Sequence, residues 1–197
     1  MNLLPPFVLA SGSPRRRRLL EGLGLAFEVV VSDVEETVDP ALSPEAMVQH
    51  LAQKKAAAVA ASHPEALTLG ADTIVVLEGD VLGKPAHEAE ARAMLRGLSG
   101  ATHEVYTGIA LLHPRSNRCQ TSYEATRVTF GALTDQEIDA YVASGSPMDK
   151  AGGYGIQDDH GALFVARIDG DYYNVVGLPL HRLYRLLRDE FTDLVTV

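Results

Sequence analysis

The chain has 197 residues, with 17 lysines and arginines against 26 aspartates and glutamates, a formal charge of −9 at pH 7. Hydrophobic residues at 46% and charged residues at 22% exclude a disordered or collagen-like chain, and the length suits one domain or two closely joined lobes. A single cysteine, Cys119, excludes a disulfide framework and a cysteine-rich zinc site, while the acidic balance argues against non-specific nucleic-acid binding, which depends on neutralising phosphates.

Phe7 to Ala10 is apolar and reads as a short strand running into Ser11-Gly12-Ser13-Pro14. Ser13 suits an N-cap and Pro14 a first helical residue, so a helix is expected from there to Gly24. Phe27 to Val31 is the next strand, and Asp33 to Pro40 an acidic loop. Ser43-Pro44 opens an alanine-rich helix to Ala61, with Met47, Leu51 and Ala58 near one face. Leu67 to Leu77 is a long strand that turns at Glu78-Gly79-Asp80 into Val81-Leu82. His87 to Leu98 reads as a helix closed by Gly100. Strands over His103 to Leu112 and Cys119 to Phe130 follow, the second partly exposed on the face of Tyr123, Ala125, Arg127 and Thr129. Thr134-Asp135-Gln136-Glu137 is a capping box for a helix to about Ala143. Leu163 to Ile168 and Tyr172 to Val176 read as strands around Asp169-Gly170-Asp171, and Pro179 to Phe191 as an amphipathic helix. Helices and strands interleave while several strands meet in hairpins, so the expected class is α/β with a mixed sheet. The opening Met1 to Pro6 has no basic segment and two prolines, unlike a signal peptide, and no apolar run reaches about 18 residues. A soluble, cytoplasmic protein is expected.

The chemistry-bearing residues form several groups. Four arginines, Arg15 to Arg18, occupy the first turns of a helix, where the backbone already supplies positive charge. A bound phosphate resolves that conflict, with Ser11, Ser13 and one or two of the arginines reaching it; four solvated surface arginines are the other reading. Only Lys54, Lys55, Lys84 and Lys150 stand against thirteen arginines. A compact ammonium suits a polyphosphate oxygen, and chance composition is the alternative. Asp72 lies inside an apolar strand, where a carboxylate is costly unless paired or metal-bound. It suits a Mg²⁺ ligand or a base that orients water, against the plain alternative of capping a turn. Asp33, Glu35, Glu36 and Asp39 offer hard oxygen ligands, although most acidic loop residues are merely solvated. Gly152-Gly153-Tyr154-Gly155 permits close approach of a ligand or serves as a structural turn, and the Gln157 amide after it could read a pyrimidine edge. His103, His160 and His181 have no metal-ligand spacing and read as surface or packing residues. A basic helix start, isolated lysines and acidic metal candidates together favour a nucleoside polyphosphate.

These segments in this order resemble the Maf family of nucleoside triphosphate pyrophosphatases, also called septum formation inhibitor proteins. The matching pieces are Leu9-Ala10-Ser11-Gly12-Ser13-Pro14-Arg15-Arg16, Glu35-Glu36, Lys54-Lys55-Ala56, Gly70-Ala71-Asp72-Thr73-Ile74-Val75 and Gly83-Lys84-Pro85. Leu98-Ser99-Gly100, Thr107-Gly108, Asp149 to Gln157 and Val175 to Pro179 complete a resemblance that covers almost the whole chain. It implies one Maf-like domain over 1–197, with two lobes on a long mixed sheet and a nucleotide cleft between them. The implied activity is hydrolysis of a nucleoside triphosphate to the monophosphate and pyrophosphate with a divalent cation, Mg²⁺ or Mn²⁺. By the resemblance Asp72 is the proton acceptor, Arg16, Glu36, Lys55 and Lys84 line the phosphate and metal site, and Glu36 with Asp72 holds the metal. The Ser-Gly-Ser-Pro-Arg and Tyr-Gly-Ile-Gln forms are similar to the branch acting on dTTP and UTP, with Arg15, Thr73 and Gln157 as specificity positions. Asp158-Asp159-His160 departs from the glycines more usual there. The implied partner is the nucleotide, with neither nucleic acid nor membrane, and a homodimer stays open. A 7-methyl-GTP pyrophosphatase of the same family, a phosphoryl transferase and a non-catalytic nucleotide-binding regulator of cell division are the rival readings.

Overall fold

A computed structural model describes residues 2–37, 41–157 and 160–196. The first half runs β1 (Asn2–Leu3), β2 (Phe7–Ala10), α1 (Pro14–Gly22), β3 (Glu28–Val29), α2 (Pro44–Ala60), β4 (Leu67–Leu77), β5 (Asp80–Leu82) and α3 (Glu88–Leu98). The second half runs β6 (Thr102–His113), β7 (Arg118–Phe130), α4 (Asp135–Ala143), α5 (Gly161–Phe164), β8 (Val165–Asp169), α6 (Tyr172–Val176), α7 (Leu180–Glu190) and β9 (Val195–Thr196). The main sheet has the order β3-β2-β4-β6-β7-β8, with β5 paired to β4. β2 is parallel to both β3 and β4, whereas β4–β5 and β7–β8 are antiparallel. The expected α/β class with a mixed sheet flanked by helices is the fold found. Among the described residues no helix is long and apolar enough to cross a membrane.

The chain divides into two compact units, the first comprising Met1–Asp72, Thr107–Glu124 and Gly177–Val197, the second Thr73–Tyr106 and Ala125–Val176. In the first, alternation along the strands separates two layers. Phe7, Leu9, Leu67, Leu69, Ala71, Ile109 and Leu111 pack with Leu20 of α1 and Leu183 and Leu187 of α7. Val8 and Ala10 pack with Val59 of α2, and Ala110 with Ala52 and Ala56. Small residues let α2 lie unusually close. A side chain at Gly70 would run into the Ala52 carbonyl oxygen and come 2.8 Å from the Ala56 nitrogen. At Gly108 it would meet the Val48 carbonyl and come 2.7 Å from the Gln49 nitrogen. Two glycines on β4 and β6 thus form the seat for the backbone of α2.

The buried face of α2 is Val48, Leu51, Ala52, Lys55, Ala56, Val59 and Ala60, which corrects the expected Met47-Leu51-Ala58 face. Met47 is half-buried and Ala58 exposed. An alanine-rich helix offers little contrast between faces, so its rotation is decided by the glycine seat rather than by its own pattern.

In the second unit α3 lies against α4 and against the turn Ala151–Gly153. Arg92 reaches Asp139 at 2.7 Å and Arg96 reaches Asp135 at 2.8 Å across the helix pair. The capping box is present: the Thr134 hydroxyl accepts from the Glu137 N–H, and the Glu137 carboxylate accepts from the Thr134 N–H. Tyr172 to Val176 is helical, not the expected strand. Asp171 Oδ1 accepts from the Tyr173 and Asn174 N–H groups, and the buried Asn174 amide donates to the Val105 carbonyl and the Thr126 hydroxyl, each at 2.9 Å. A cap and two long-range bonds override the strand preference of Tyr172, Tyr173, Val175 and Val176. The other expected strand begins only at Val165, since Gly161–Phe164 forms a helical turn.

His103 lies in an aromatic cluster with Phe130 and Tyr154, ring centroids 4.8 to 5.3 Å apart and edge-to-face. Burial pulls the His103 imidazole down from its ordinary value to about 4. Above pH 6.5 the ring is neutral in both folded and unfolded chains; below it only the unfolded chain takes the proton, so stability falls as pH drops toward 4. Between pH 7 and pH 5 the protein should lose about 2 kcal/mol more than a His103→Gln variant. Urea unfolding of both at the two pH values checks this, and equal losses would mean the imidazole is not held neutral.

Candidate active site

The site in the first unit is built from three neighbouring pieces of chain. Parallel pairing sets Ala10 opposite Gly70, so the Ser11–Ser13 turn that follows β2 comes beside the Asp72 region of β4, which continues in the sheet to Leu77. Ser13 caps α1, accepting from the Arg16 N–H, while Ser11 Oγ accepts from the Ser13 N–H at 3.2 Å. Pro14 then starts the helix without a wasted donor.

The four arginines separate as helical geometry requires. Arg16 is four residues before Leu20 and shares its buried face; Arg17 and Arg18 are exposed, and Arg17 pairs with Glu21 at 2.8 Å. Arg16 Nε donates to the Gly177 carbonyl at 2.8 Å and Nη1 to Ser11 Oγ at 3.2 Å. Burial pulls the guanidinium below its ordinary value, opposed by the field of Asp72; Arg15 adds to the lowering and Glu36 opposes it. Arginine nonetheless keeps its charge at any physiological pH. The Gly177 carbonyl, which lies in the matched Val175 to Pro179 segment but is assigned no role by the sequence, helps to aim Arg16.

Lys55, on the buried face of α2, donates to Asp72 Oδ1 and to Glu36 Oε1, both at 2.6 Å. Lys55 is 7% exposed and Asp72 6%, whereas Glu36 lies on an exposed loop. Lys54 donates to the Glu35 carbonyl at 2.7 Å, so consecutive lysines of α2 fasten the acidic loop by a backbone oxygen and a carboxylate. Lys55, Asp72 and Glu36 form one ion-paired cluster with Arg16 in the field of the two carboxylates, and the buried Lys55 and Asp72 compensate each other. Lys55 donates to Oδ1 of Asp72, which fixes the orientation of the carboxylate.

Two carboxylates brought to a single nitrogen are also a donor set of the right kind for a hard cation. Mg²⁺ commonly takes one or two carboxylates and completes its shell with phosphate and water oxygens. Among the described residues no group of three or more His, Cys, Asp or Glu side chains gathers as a cation site. Glu36 and Asp72 thus fit a cation shared with a polyphosphate better than an all-protein cage. Asp33 and Glu35 are exposed on the loop, and Asp39 lies outside the described residues.

The remaining candidates belong to the second unit. Thr73 follows Asp72 on β4, half-buried, its side chain on the opposite face of the strand. Lys84 is exposed just after β5, and the adjoining Gly83 carbonyl accepts from the Gly152 N–H at 3.0 Å, tying that segment to the glycine-rich one. Lys150 is buried, its ammonium on the Ser146 carbonyl at 2.5 Å and on Asp149 at 2.7 Å. Gln157 ends the glycine-rich segment, half-buried. Arg15 is half-buried in the first unit. Asp158 and Asp159 lie outside the described residues.

Fold and cluster define an α/β protein with a buried Lys–Asp pair beside a helix start that carries a buried arginine. The Maf-like protein family model matches residues 6–190, and the chain belongs to that family. It is 55% identical over 195 residues to a dTTP/UTP pyrophosphatase of Salinibacter ruber, covering 99% of this chain and 96% of that protein. It is 56% identical over 181 residues to a dTTP/UTP pyrophosphatase of Bacillus cereus, covering 92% and 93%. Among solved structures, a HAM1 protein from Coxiella burnetii superposes with a TM-score of 0.46 at 20% identity, over 64% of this chain and 73% of that one.

Proposed function

We propose that this chain is a cytoplasmic pyrophosphatase that hydrolyses dTTP and UTP, and modified pyrimidine triphosphates of the same shape, to the nucleoside monophosphate and pyrophosphate. The observation that carries the proposal is the buried Lys55–Asp72 pair, with Glu36 on the same ammonium and Arg16 in its field. Membership of the Maf-like family and two relatives of 55% and 56% identity named for this activity support it.

Asp72 takes the proton of the attacking water, and Lys55 holds the carboxylate in place for that transfer. Arg16, Ser11, Ser13 and the N-terminus of α1 bind phosphate oxygens, a role for which free helix N–H groups and a fixed guanidinium are suited. Lys84 meets charge that develops on the departing pyrophosphate, where a preorganised cation contributes most. Arg15, Thr73 and Gln157 are the positions that set nucleotide specificity. Glu36 and Asp72 hold a divalent cation, Mg²⁺ or Mn²⁺, which when bound neutralises phosphate charge.

A panel of triphosphates assayed with Mg²⁺ or Mn²⁺ tests the proposal. Pyrophosphate release from dTTP and UTP should exceed that from purine triphosphates and 7-methyl-GTP, and a chelator should abolish it. A nucleoside diphosphate product, turnover confined to 7-methyl-GTP, or no metal-dependent turnover would overturn it in favour of one of the rival readings.

A further inference from the structure

The buried His103 is absorbed by nothing in the phosphate chemistry. It is 1% exposed, yet its Nε2 lies 2.7 Å from the Tyr154 hydroxyl, and among the described residues its Nδ1 has no hydrogen-bond partner. The phenol is pushed above its ordinary value by burial and then by the charge of Tyr141, so it stays protonated and needs an acceptor. The tautomer with hydrogen on Nδ1 gives it one: Tyr154 donates to Nε2 and a single polar atom is left over. The other tautomer leaves two, the phenol hydrogen and Nδ1, and is the costlier arrangement.

Tyr154 opens the segment Tyr154-Gly155-Ile156-Gln157, and the next residues are anchored as well. The Gly155 N–H donates to the Tyr141 hydroxyl at 3.2 Å, and Ile156 is buried. Tyr141 comes from α4 and stacks edge-to-face on Phe164, which adjoins Phe130; His103 comes from β6. Two tyrosine hydroxyls from separate elements therefore fix consecutive residues, and Gln157 stands two positions beyond the second anchor. A side-chain amide can distinguish base edges only if its backbone is held to a fraction of an ångström.

We propose that His103 and Tyr141 are positioning residues for nucleobase selection, acting through Tyr154 and Gly155 to hold the Gln157 amide where it reads the base edge. This rests on the assignment of Gln157 to nucleotide specificity in the proposed function. A device at the base end should govern which nucleotide is bound and leave the phosphate chemistry intact.

The test is Tyr154→Phe, which removes one hydroxyl and keeps the ring stacked, assayed on UTP, dTTP and CTP beside the unaltered protein. KM for UTP should rise about tenfold, the worth of one buried hydrogen bond, with kcat within about twofold. The preference for UTP over CTP should fall by a similar factor. His103→Gln, which keeps an acceptor, should shift KM less than His103→Leu. Unchanged KM and unchanged base preference in Tyr154→Phe, beside an active parent protein, would overturn the positioning role alone. So would a drop in melting temperature with the UTP-to-CTP ratio unmoved. A parent protein that releases no pyrophosphate from UTP or dTTP would overturn the functional reading and this inference with it.

Discussion

Asp72→Asn should lower kcat for pyrophosphate release by about 10²- to 10⁴-fold, the usual worth of a positioned general base. The amide keeps the shape of the carboxylate and an oxygen for Lys55, now 2.6 Å from Asp72 Oδ1. Glu36 remains on the same ammonium at 2.6 Å, so the buried cation is not stranded. The fold should therefore survive, although removing one partner outright from a buried ion pair costs about 3–5 kcal/mol. Nucleotide binding should largely hold, because Arg16, Ser11, Ser13 and Glu36 all remain in place. A fall in kcat with KM nearly constant is the signature of a group that acts only in the transition state. Stopped-assay kinetics with circular dichroism checks both halves, and kcat within threefold of the parent would remove Asp72 from its role.

Gly70→Ala should damage both stability and turnover, although it lies outside the charged cluster. The new methyl would run into the Ala52 carbonyl oxygen and come 3.0 Å from the Ala56 side chain, contacts with the backbone of α2 that no rotamer can relieve. Overpacking costs about 1–3 kcal/mol, and a backbone contact belongs at the upper end. The melting temperature should fall by about 10 °C for a chain of this size. Because α2 carries Lys55, its displacement from β4 also draws the ammonium from Asp72, and misplacement by about 1 Å costs roughly 10²-fold in rate. Gly22→Ala is the control. Gly22 lies in α1 with nothing within 4 Å of the added methyl, so the same change there should be neutral or stabilising by up to about 1 kcal/mol. Thermal unfolding and kcat of the pair separate the two cases, and equal behaviour would mean that Gly70 seats nothing.

What could be read without coordinates was whatever the local chain decides for itself. Ser13-Pro14, Ser43-Pro44 and Thr134 through Glu137 start helices because their hydroxyls satisfy the first free N–H groups, and all three starts stand. β4 spans Leu67–Leu77 as its composition implies. Tyr172 to Val176 misleads because its helix is held by Asn174 bonds to Val105 and Thr126, about 70 and 50 residues away along the chain. Neither the parallel register that brings Ser11 beside the Asp72 region nor the Gly177 carbonyl on Arg16 leaves any local trace.

The candidate site was legible unevenly. Asp72 is conspicuous as a charge among apolar strand residues. Lys55 had a usable signal, standing four residues from both Leu51 and Val59 on the buried stripe of α2. Arg16 had the same signal through Leu20. Gly70, two residues before Asp72, gives no local sign that a helix backbone fills the space beside it. His103 reads as an ordinary packing residue because its partner Tyr154 is 51 positions distant.

The central claim, that Asp72 directs water onto the phosphorus nearest the sugar with pyrophosphate as the leaving group, is tested most directly by hydrolysing UTP in water enriched in oxygen-18. After a single turnover, mass spectrometry of the products should place the heavy oxygen in UMP and none in pyrophosphate. Heavy oxygen in the pyrophosphate, or the appearance of UDP, would contradict it.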